Sequence, residues 1–359
     1  MKNDPYHLHK LALKPLLSSS PSQELKTSAT EINLTGENTF LQFLAINLLT
    51  PLWHESLATH DAANLFSNDF NANLKKAALM ASARYLQQQH ALNRTAEILD
   101  AEAIPYAVYK GAHIRELIYK NPAVRVSDDL DILVAKTDRD KTLQIFTNSG
   151  YELNLSADTI SHEAVITDAN TKIDLHWDLL RPGRTRIFLA EKLLAERQQF
   201  NNLWVLSPEA ELFIMLVHPV ITKYLTAPQA ALIRVVDLLR WIETQEPDWQ
   251  KVYDLLESSG LKTAAWINGY LISLLSGRTL PEKFLEQLKP SVLKGIHLQN
   301  WIDKNYSTKF LNTPFLIKAG FTLAVHDTVF DAIRAAKTLQ RERRRAESEV
   351  SRIKSMLQK

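Results

Sequence analysis

The sequence predicts an α+β protein, in which a small mixed β-sheet lies between helical regions toward the two ends of the chain. Apolar residues recur at helical spacing through residues 37–100. Residues 101–206 instead hold short apolar runs that alternate with period two, which is typical of strands. A helix start follows at Ser207-Pro208, with Ser as the cap and Pro in the first turn, and helical patterns continue from there.

The composition is that of an ordinary globular protein. The chain has 359 residues, 45% hydrophobic and 23% charged, which suggests two or three domains with a sizeable core. The formal net charge is +2, so nucleic acid is not required as a partner, although it stays open. The absence of cysteine excludes disulfides and is consistent with a cytoplasmic location. No apolar run reaches ~18 residues, so we expect no membrane insertion.

We expect five successive regions along the chain. Residues 1–36 are rich in Ser, Thr, Pro and charge, and they predict a flexible N-terminal arm. An N-terminal helical region (37–100), a core that holds the motifs (101–206) and a C-terminal helical domain (207–330) follow it. Residues 331–359 carry nine Lys or Arg against four Asp or Glu. This balance favours a basic terminal helix with interleaved charges over a nucleic-acid-binding arm.

The motif that carries the chemistry is the Ser127-Asp128-Asp129-Leu130-Asp131 segment at the mouth of an apolar run. In a strand, residues i and i+2 point to the same face, so the side chains of Asp129 and Asp131 converge. Two such carboxylates repel each other unless a positive charge lies between them, and Mg²⁺ prefers oxygen ligands. The pair therefore predicts a metal-dependent active site, whereas the plainer interpretation is a polar strand entry.

Two further segments frame this pair. Upstream, an apolar strand over residues 104–109 ends in Lys110-Gly111 and is followed by a helical pattern. A strand that turns through Gly into a helix exposes free backbone N–H groups, which suit phosphate. Downstream, residues 171–177 alternate again and place Asp174 and His176 on one face. The chain thus offers a phosphate-binding turn, a pair of acids and a third acid on a later strand.

The order of these segments resembles the bacterial family of uncharacterised nucleotidyltransferases, within the superfamily that has the polymerase-beta-like fold. The family pattern is a Lys-Gly turn, then Arg-x-x-x-Asp-x-Asp before an apolar strand, then Asp-Leu-His-Trp. Here these motifs are Lys110-Gly111, the segment from Arg125 to Asp131, and the four residues from Asp174.

The resemblance covers roughly residues 40–245 and has two departures. Asp128 stands where the family usually has Ser or Gly, and the Lys-Gly turn replaces the Gly-Ser turn of the wider superfamily. His218 and the later Arg234-Val-Val-Asp237 echo a helical His…Arg-x-x-Asp pattern of the family. A buried hydrogen-bonded pair is the plainer interpretation of His218 and Asp237.

The resemblance implies transfer of a nucleoside monophosphate from an NTP, with ATP expected, to a hydroxyl or phosphate acceptor with release of pyrophosphate. The reaction is expected to need Mg²⁺ or Mn²⁺. Catalysis and metal binding are implied for Asp129, Asp131 and Asp174. Nucleotide and phosphate binding are implied for Lys110, Gly111, Ala112, Arg115, Arg125, Ser127 and His176. Packing and surface roles stay open for His176 and Arg115, respectively.

The acceptor stays open and includes a small molecule, a sugar, a peptide or an RNA end. One alternative is a non-catalytic nucleotide-binding module on the same fold, for which the acids need not meet. A separation of their carboxylates beyond ~8 Å would exclude a two-metal site. A second alternative is a toxin-like nucleotidyltransferase that acts on tRNA. It predicts a basic groove from the acids to the C-terminal helices.

Overall fold

The computed structural model describes residue 4 and residues 6–169, 171–222, 231–305 and 315–358. Within these residues the chain forms sixteen α-helices and seven β-strands. The helices are α1 (His7–Leu17), α2 (Pro21–Thr35), α3 (Glu37–Ile46), α4 (Thr50–Thr59), α5 (Asn68–Ala101), α6 (Gly111–Ile118), α7 (Arg139–Asn148), α8 (Ala190–Ala195), α9 (Pro208–Ile221), α10 (Ala231–Gln245), α11 (Trp249–Ser259), α12 (Lys262–Ser276), α13 (Glu282–Leu288), α14 (Val292–Asn305), α15 (Phe315–Ala324) and α16 (Val329–Leu357). The strands are β1 (Tyr106–Tyr109), β2 (Leu130–Val134), β3 (Glu152–Asn154), β4 (Glu163–Asp168), β5 (Thr171–His176), β6 (Gln198–Phe200) and β7 (Leu203–Val205).

The strands form one mixed sheet in the order β3-β4-β5-β2-β1-β7-β6. The β2–β5 and β1–β7 pairs are parallel, and the other neighbours are antiparallel. Helices precede and follow the strands along the chain. The predicted α+β class, a mixed sheet with flanking helical regions, is therefore confirmed.

The two faces of the sheet pack against different helices. On β2, the side chains of Leu130, Ile132 and Val134 lie in one core with residues of α5, α7 and α16. Leu133 belongs to a second core with α9, α10 and the helices of the N-terminal part of the chain. Because side chains alternate along a strand, Asp131 shares the face of Leu133. The acids therefore point toward the C-terminal helices.

The N-terminal stretch differs from its prediction. Residues 7–17 and 21–35 are helical, and the indole N–H of Trp53 donates to the carbonyl of Ala12 at 3.0 Å. Leu13 and Ile32 are fully buried in the second core. The prediction of a flexible arm is wrong for these residues. Their apolar side chains lie along one side of each helix, and the many polar residues of the segment hide this pattern when only its composition is considered. The division of the chain into five regions stays a prediction.

The predicted basic terminal segment is helical as α16, which lies against α7. Arg139 pairs with Glu349 at 2.6 Å, and Arg352 pairs with Asp140 at 2.8 Å. The interleaved charges of this helix thus take part in packing. A group of its arginines (Arg341, Arg343, Arg344 and Arg345) is exposed. In the described part of the chain, no helix has the length and apolar character needed to cross a membrane.

Candidate active site

Strand register brings two of the predicted acids together. On the parallel neighbours β2 and β5, Asp131 lies directly opposite Asp174. His176 follows two residues later on the same face, and on β4 its partner in the register is Glu163. Because β2, β4 and β5 all bury their other face in the core, the pleat fixes the direction of all four side chains.

Asp131, Asp174 and His176 form a cluster in which one ligand atom from each lies within 4.8 Å of the others. The imidazole Nε2 of His176 donates to Asp131 Oδ1 at 2.9 Å. Two carboxylates and an imidazole at this separation can hold a divalent cation. The carboxylates of Asp131 and Asp174 are therefore well within the ~8 Å beyond which a shared metal site would be excluded. The sequence placed His176 on the same face as Asp174 but did not predict it as a metal ligand, whereas the structure makes it one of three candidate ligands.

The acids of the site have different electrostatic surroundings. Burial opposes ionisation of Asp131, but the Lys110 ammonium and a hydrogen bond from His176 outweigh it and hold the pKa of Asp131 below its usual range. For Asp129, burial and the negative charges of Asp131 and Asp174 raise the pKa to about 6. Because the charges of Asp131 and Asp174 act on Asp129 in this way, a bound cation would be favoured, since added positive charge would relieve the repulsion among the three carboxylates.

The Lys-Gly turn places its lysine directly against the acids. Lys110 Nζ lies 2.6 Å from Asp131 Oδ1, and its ammonium lies 4.8 Å from the centre of the Tyr109 ring. The backbone of Lys110 has a φ of 54°, a conformation that residues with a side chain rarely adopt. Both carboxylate oxygens of Glu211 accept a hydrogen bond from the Lys110 amide, at 3.0 and 3.1 Å. The carboxylate of Glu211 thus stabilises the strained turn.

Glu211 was missed by sequence reasoning. Its side chain is fully buried, and Oε1 lies 2.8 Å from Nδ1 of His113. Burial raises the pKa of Glu211, against the opposing effects of His113 and the Lys110 amide. A signal was present in the sequence, because Glu211 lies between Ala210 and Leu212 and directly precedes the apolar run 212–217. A buried carboxylate needs partners, and this one supports the turn at the site.

Gly111 allows the close approach of two side chains to the start of α6. A Cβ atom at this position would clash with Nη1 of Arg125 and lie 2.6 Å from Oγ of Ser127. The hydroxyl of Ser127 donates to the carbonyl of Asp129 at 3.0 Å, which holds the loop before β2. The first amides of α6 have no intrahelical acceptor, as at any helix start. This arrangement fits the predicted phosphate-binding turn.

Arg125 lines the site, but its guanidinium is already engaged. Its Nη2 and Nε donate to Asp237 Oδ2 at 2.7 and 3.2 Å, and the Tyr119 hydroxyl donates to the same carboxylate at 2.7 Å. Burial opposes the charge of Arg125, but Asp237 outweighs it and raises the pKa of the guanidinium. Asp237 is thus buried and hydrogen-bonded, as the plainer interpretation of the sequence predicted, and its main partner is Arg125.

Two predicted phosphate-binding residues lie away from the cavities. Arg115 is buried, donates to Gln88 Oε1 at 2.6 Å and lies over the ring of Tyr85. Ala112 is buried at the start of α6, and neither residue lines the two cavities described below. Asp128, the departure from the family pattern, is exposed and pairs with Arg84 at 2.7 Å.

Two cavities meet at the acids. The first, of about 180 Å³, is bordered by the Lys110–Gly111 turn and by apolar side chains of α9 and α10 such as Ile214 and Ile233. The second, of about 210 Å³, is mostly polar and is bordered by Asp174 and by residues of β4, β5 and the loop after β5. Residues that line both cavities are Lys110, Asp129, Asp131, His218 and Arg234.

Comparison with known protein families gives a match. The model of a family described as an uncharacterised nucleotidyltransferase matches residues 35–277, about two thirds of the chain. That span contains the turn, the acids and the α9 and α10 residues of both cavities. A search of curated proteins gave no match.

Proposed function

The chain belongs to this nucleotidyltransferase family, and from that premise we propose that it transfers a nucleoside monophosphate from an NTP, expected to be ATP, to an acceptor hydroxyl. Pyrophosphate is the second product. The observation that supports the proposal best is the register of β2 and β5, which sets Asp131 beside Asp174 next to the Lys110–Gly111 turn. A binding module would need the turn but not the adjoining pair of acids.

The two cavities differ in their lining, and we assign a different substrate to each. The first cavity combines the phosphate-binding turn with apolar side chains that suit a base, so we assign it to the NTP. Asp174 borders the second cavity but not the first, which makes that space suitable for the acceptor. Asp129 and Asp131 stand between the two cavities, where the α-phosphate would lie.

The proposed step is an in-line displacement at that phosphorus. The acceptor oxygen forms a bond to the α-phosphorus, and the bond from this phosphorus to the oxygen bridging to the β-phosphate breaks. Pyrophosphate leaves with the electron pair, and the hydroxyl proton passes to a carboxylate oxygen of Asp174. Lys110 lies where its ammonium can turn from Asp131 toward the phosphates.

A divalent cation, Mg²⁺ or Mn²⁺, fits the cluster of Asp131, Asp174 and His176 together with Asp129. When bound, such a cation neutralises charge on the phosphates and helps to align the reacting oxygen. His176 donates to Asp131 and so orients the carboxylate that would hold it.

The test is label transfer from each α-labelled NTP, in the presence of Mg²⁺ and a cell extract. We expect a labelled product with the wild-type protein and none with Asp131→Asn. Asp158→Asn is a matched control, because Asp158 is exposed in a turn away from both cavities. Equal labelling by the wild type and Asp131→Asn would refute catalysis at these acids. A lack of labelling with every NTP would favour the binding module.

A further inference from the structure

Within the described residues, two arginines at the second cavity have no carboxylate in contact with their guanidinium. Arg181 lines the second cavity but not the first, and Arg234 lines both cavities. Neither guanidinium makes a hydrogen bond or an ion pair with another residue in the described part of the chain. The residues outside that part include no Asp or Glu, so none of their side chains can form an ion pair with either arginine. Arginines at a polar cavity without a partner are suited to an anionic ligand.

Arg181 is held in place by a preformed turn. Residues 181–184 read Arg-Pro-Gly-Arg, and the amide of Arg184 donates to the carbonyl of Arg181 at 3.1 Å. Gly183 has a φ of +83°, and Pro precedes it, as in a type II turn. A Cβ atom on Gly183 would lie 2.6 Å from Cβ of Thr338, so α16 packs directly against the turn.

Contacts on both sides of this turn restrict it further. Before it, Leu179 and Leu180 are buried in the core. After it, Arg186 donates to both oxygens of Asp331, at 3.0 and 2.7 Å, and its amide donates to the carbonyl of Ser259 at 2.9 Å. A loop fixed at both ends presents Arg181 to the cavity without a large cost in conformational entropy on binding.

Arg234 lines the same cavity from α10. Burial and the nearby positive charge of Arg125 lower the pKa of its guanidinium. The charge of Arg234 is thus only partly compensated by the protein, although Asp237, Asp131 and Asp129 act in the opposite direction. An anion bound by both Arg181 and Arg234 would neutralise the remaining positive charge of Arg234.

We infer that the second cavity binds a small phosphorylated acceptor whose phosphate monoester lies against Arg181 and Arg234. This inference rests on the proposed function. A phosphate monoester carries close to two negative charges at neutral pH, which matches two arginines better than a single carboxylate does. The volume of about 210 Å³ is below the roughly 300 Å³ at which most ligand cavities begin, so it suits a small molecule. The hydroxyl that attacks belongs to the rest of that molecule and faces Asp174.

The test uses equilibrium dialysis with labelled inorganic phosphate as the probe. The protein is first saturated with Mg²⁺ and an ATP analogue that cannot be cleaved between the α- and β-phosphates. We expect one saturable phosphate site in the wild type and in Arg343→Gln, a control arginine exposed on α16. In Arg181→Gln, affinity should fall at least about tenfold, and Arg181→Lys should recover part of it.

Each outcome decides one claim. Absence of saturable phosphate binding in the wild type, or equal binding by Arg181→Gln, would overturn the phosphate site while leaving the nucleotidyltransferase proposal intact. Displacement of the probe by acetate as readily as by unlabelled phosphate would overturn the choice of phosphate over carboxylate. A protein that does not bind the ATP analogue at the start would instead contradict the proposed function. Retained analogue binding by Arg181→Gln shows that the variant is folded.

Discussion

Replacing Lys110 with Met should tighten the binding of a divalent cation and weaken the binding of ATP. In the wild type the ammonium lies 2.6 Å from Asp131 Oδ1, with both side chains largely buried. A hydrogen bond between charged groups contributes about 1.5–3 kcal/mol, and a cation that binds Asp131 must displace it. Removing this competitor should therefore lower the Kd for Mn²⁺ by about 10- to 100-fold. ATP affinity should fall, because a phosphate contact is lost.

Free Mn²⁺ can be counted by electron paramagnetic resonance, and ATP binding by the fluorescence of a labelled analogue. The assay should run at about pH 8, because removing Lys110 takes away the main influence that lowers the pKa of Asp131. Lys172→Met is the matched control. Its ammonium lies 3.1 Å from Asp174 Oδ1, but the side chain is 49% exposed, so we expect a change below about fivefold. Unchanged or weaker Mn²⁺ binding by Lys110→Met would refute the competition between the ammonium and the metal.

Two further predictions concern Gly111 in the Lys-Gly turn and the carboxylate of Asp129. Gly111→Ala should weaken ATP binding at least about tenfold, since the new methyl group clashes with Arg125 and Ser127. Gly320→Ala should not weaken it, because a Cβ there would meet only Nε2 of His297, at 4.0 Å; equal affinities of the two variants for an ATP analogue would contradict this prediction. The pKa of Asp129 is about 6 in the folded metal-free protein against the ordinary 3.8, so the folded state holds this proton more tightly and its stability should fall as pH rises from about 4 to about 6. Urea unfolding in EDTA should show a loss of about 2 kcal/mol in the wild type relative to Asp129→Asn over that interval, and parallel pH profiles of the two proteins would contradict the shift.

Features that depend on short-range pattern were predictable from the sequence. An apolar run located β2, and alternation with period two located β5 and the shared face of Asp174 and His176, because side-chain direction in a strand follows from position alone. The helix start at Ser207 is likewise local, and its hydroxyl accepts from the amide of Ala210. The α+β class followed from the order of these patterns.

Features that depend on contacts between distant parts of the chain were not predictable. The buried carboxylate of Glu211 reaches Lys110 across about one hundred residues, and no spacing rule connects them. Arg115 was expected near phosphate because it follows the turn, but helical rotation directs it toward Gln88 of α5. The N-terminal helices escaped prediction for a related reason. Their burial depends on partners such as Trp53, which composition does not reveal.

The contrast between Asp131 and Asp129 explains why a lysine is suited to the turn. Asp131 contacts the Lys110 ammonium and its pKa falls, whereas for Asp129 burial and the nearby acids prevail over the more distant lysines and its pKa rises. Without Lys110, ionised Asp131 and Asp129 would lie on one buried face of the sheet with no positive charge in contact with Asp131. Their repulsion would disfavour folding before a metal binds. The lysine thus stabilises the metal-free site. Because its backbone is held by Glu211, its side chain alone must move when a cation and the phosphates arrive.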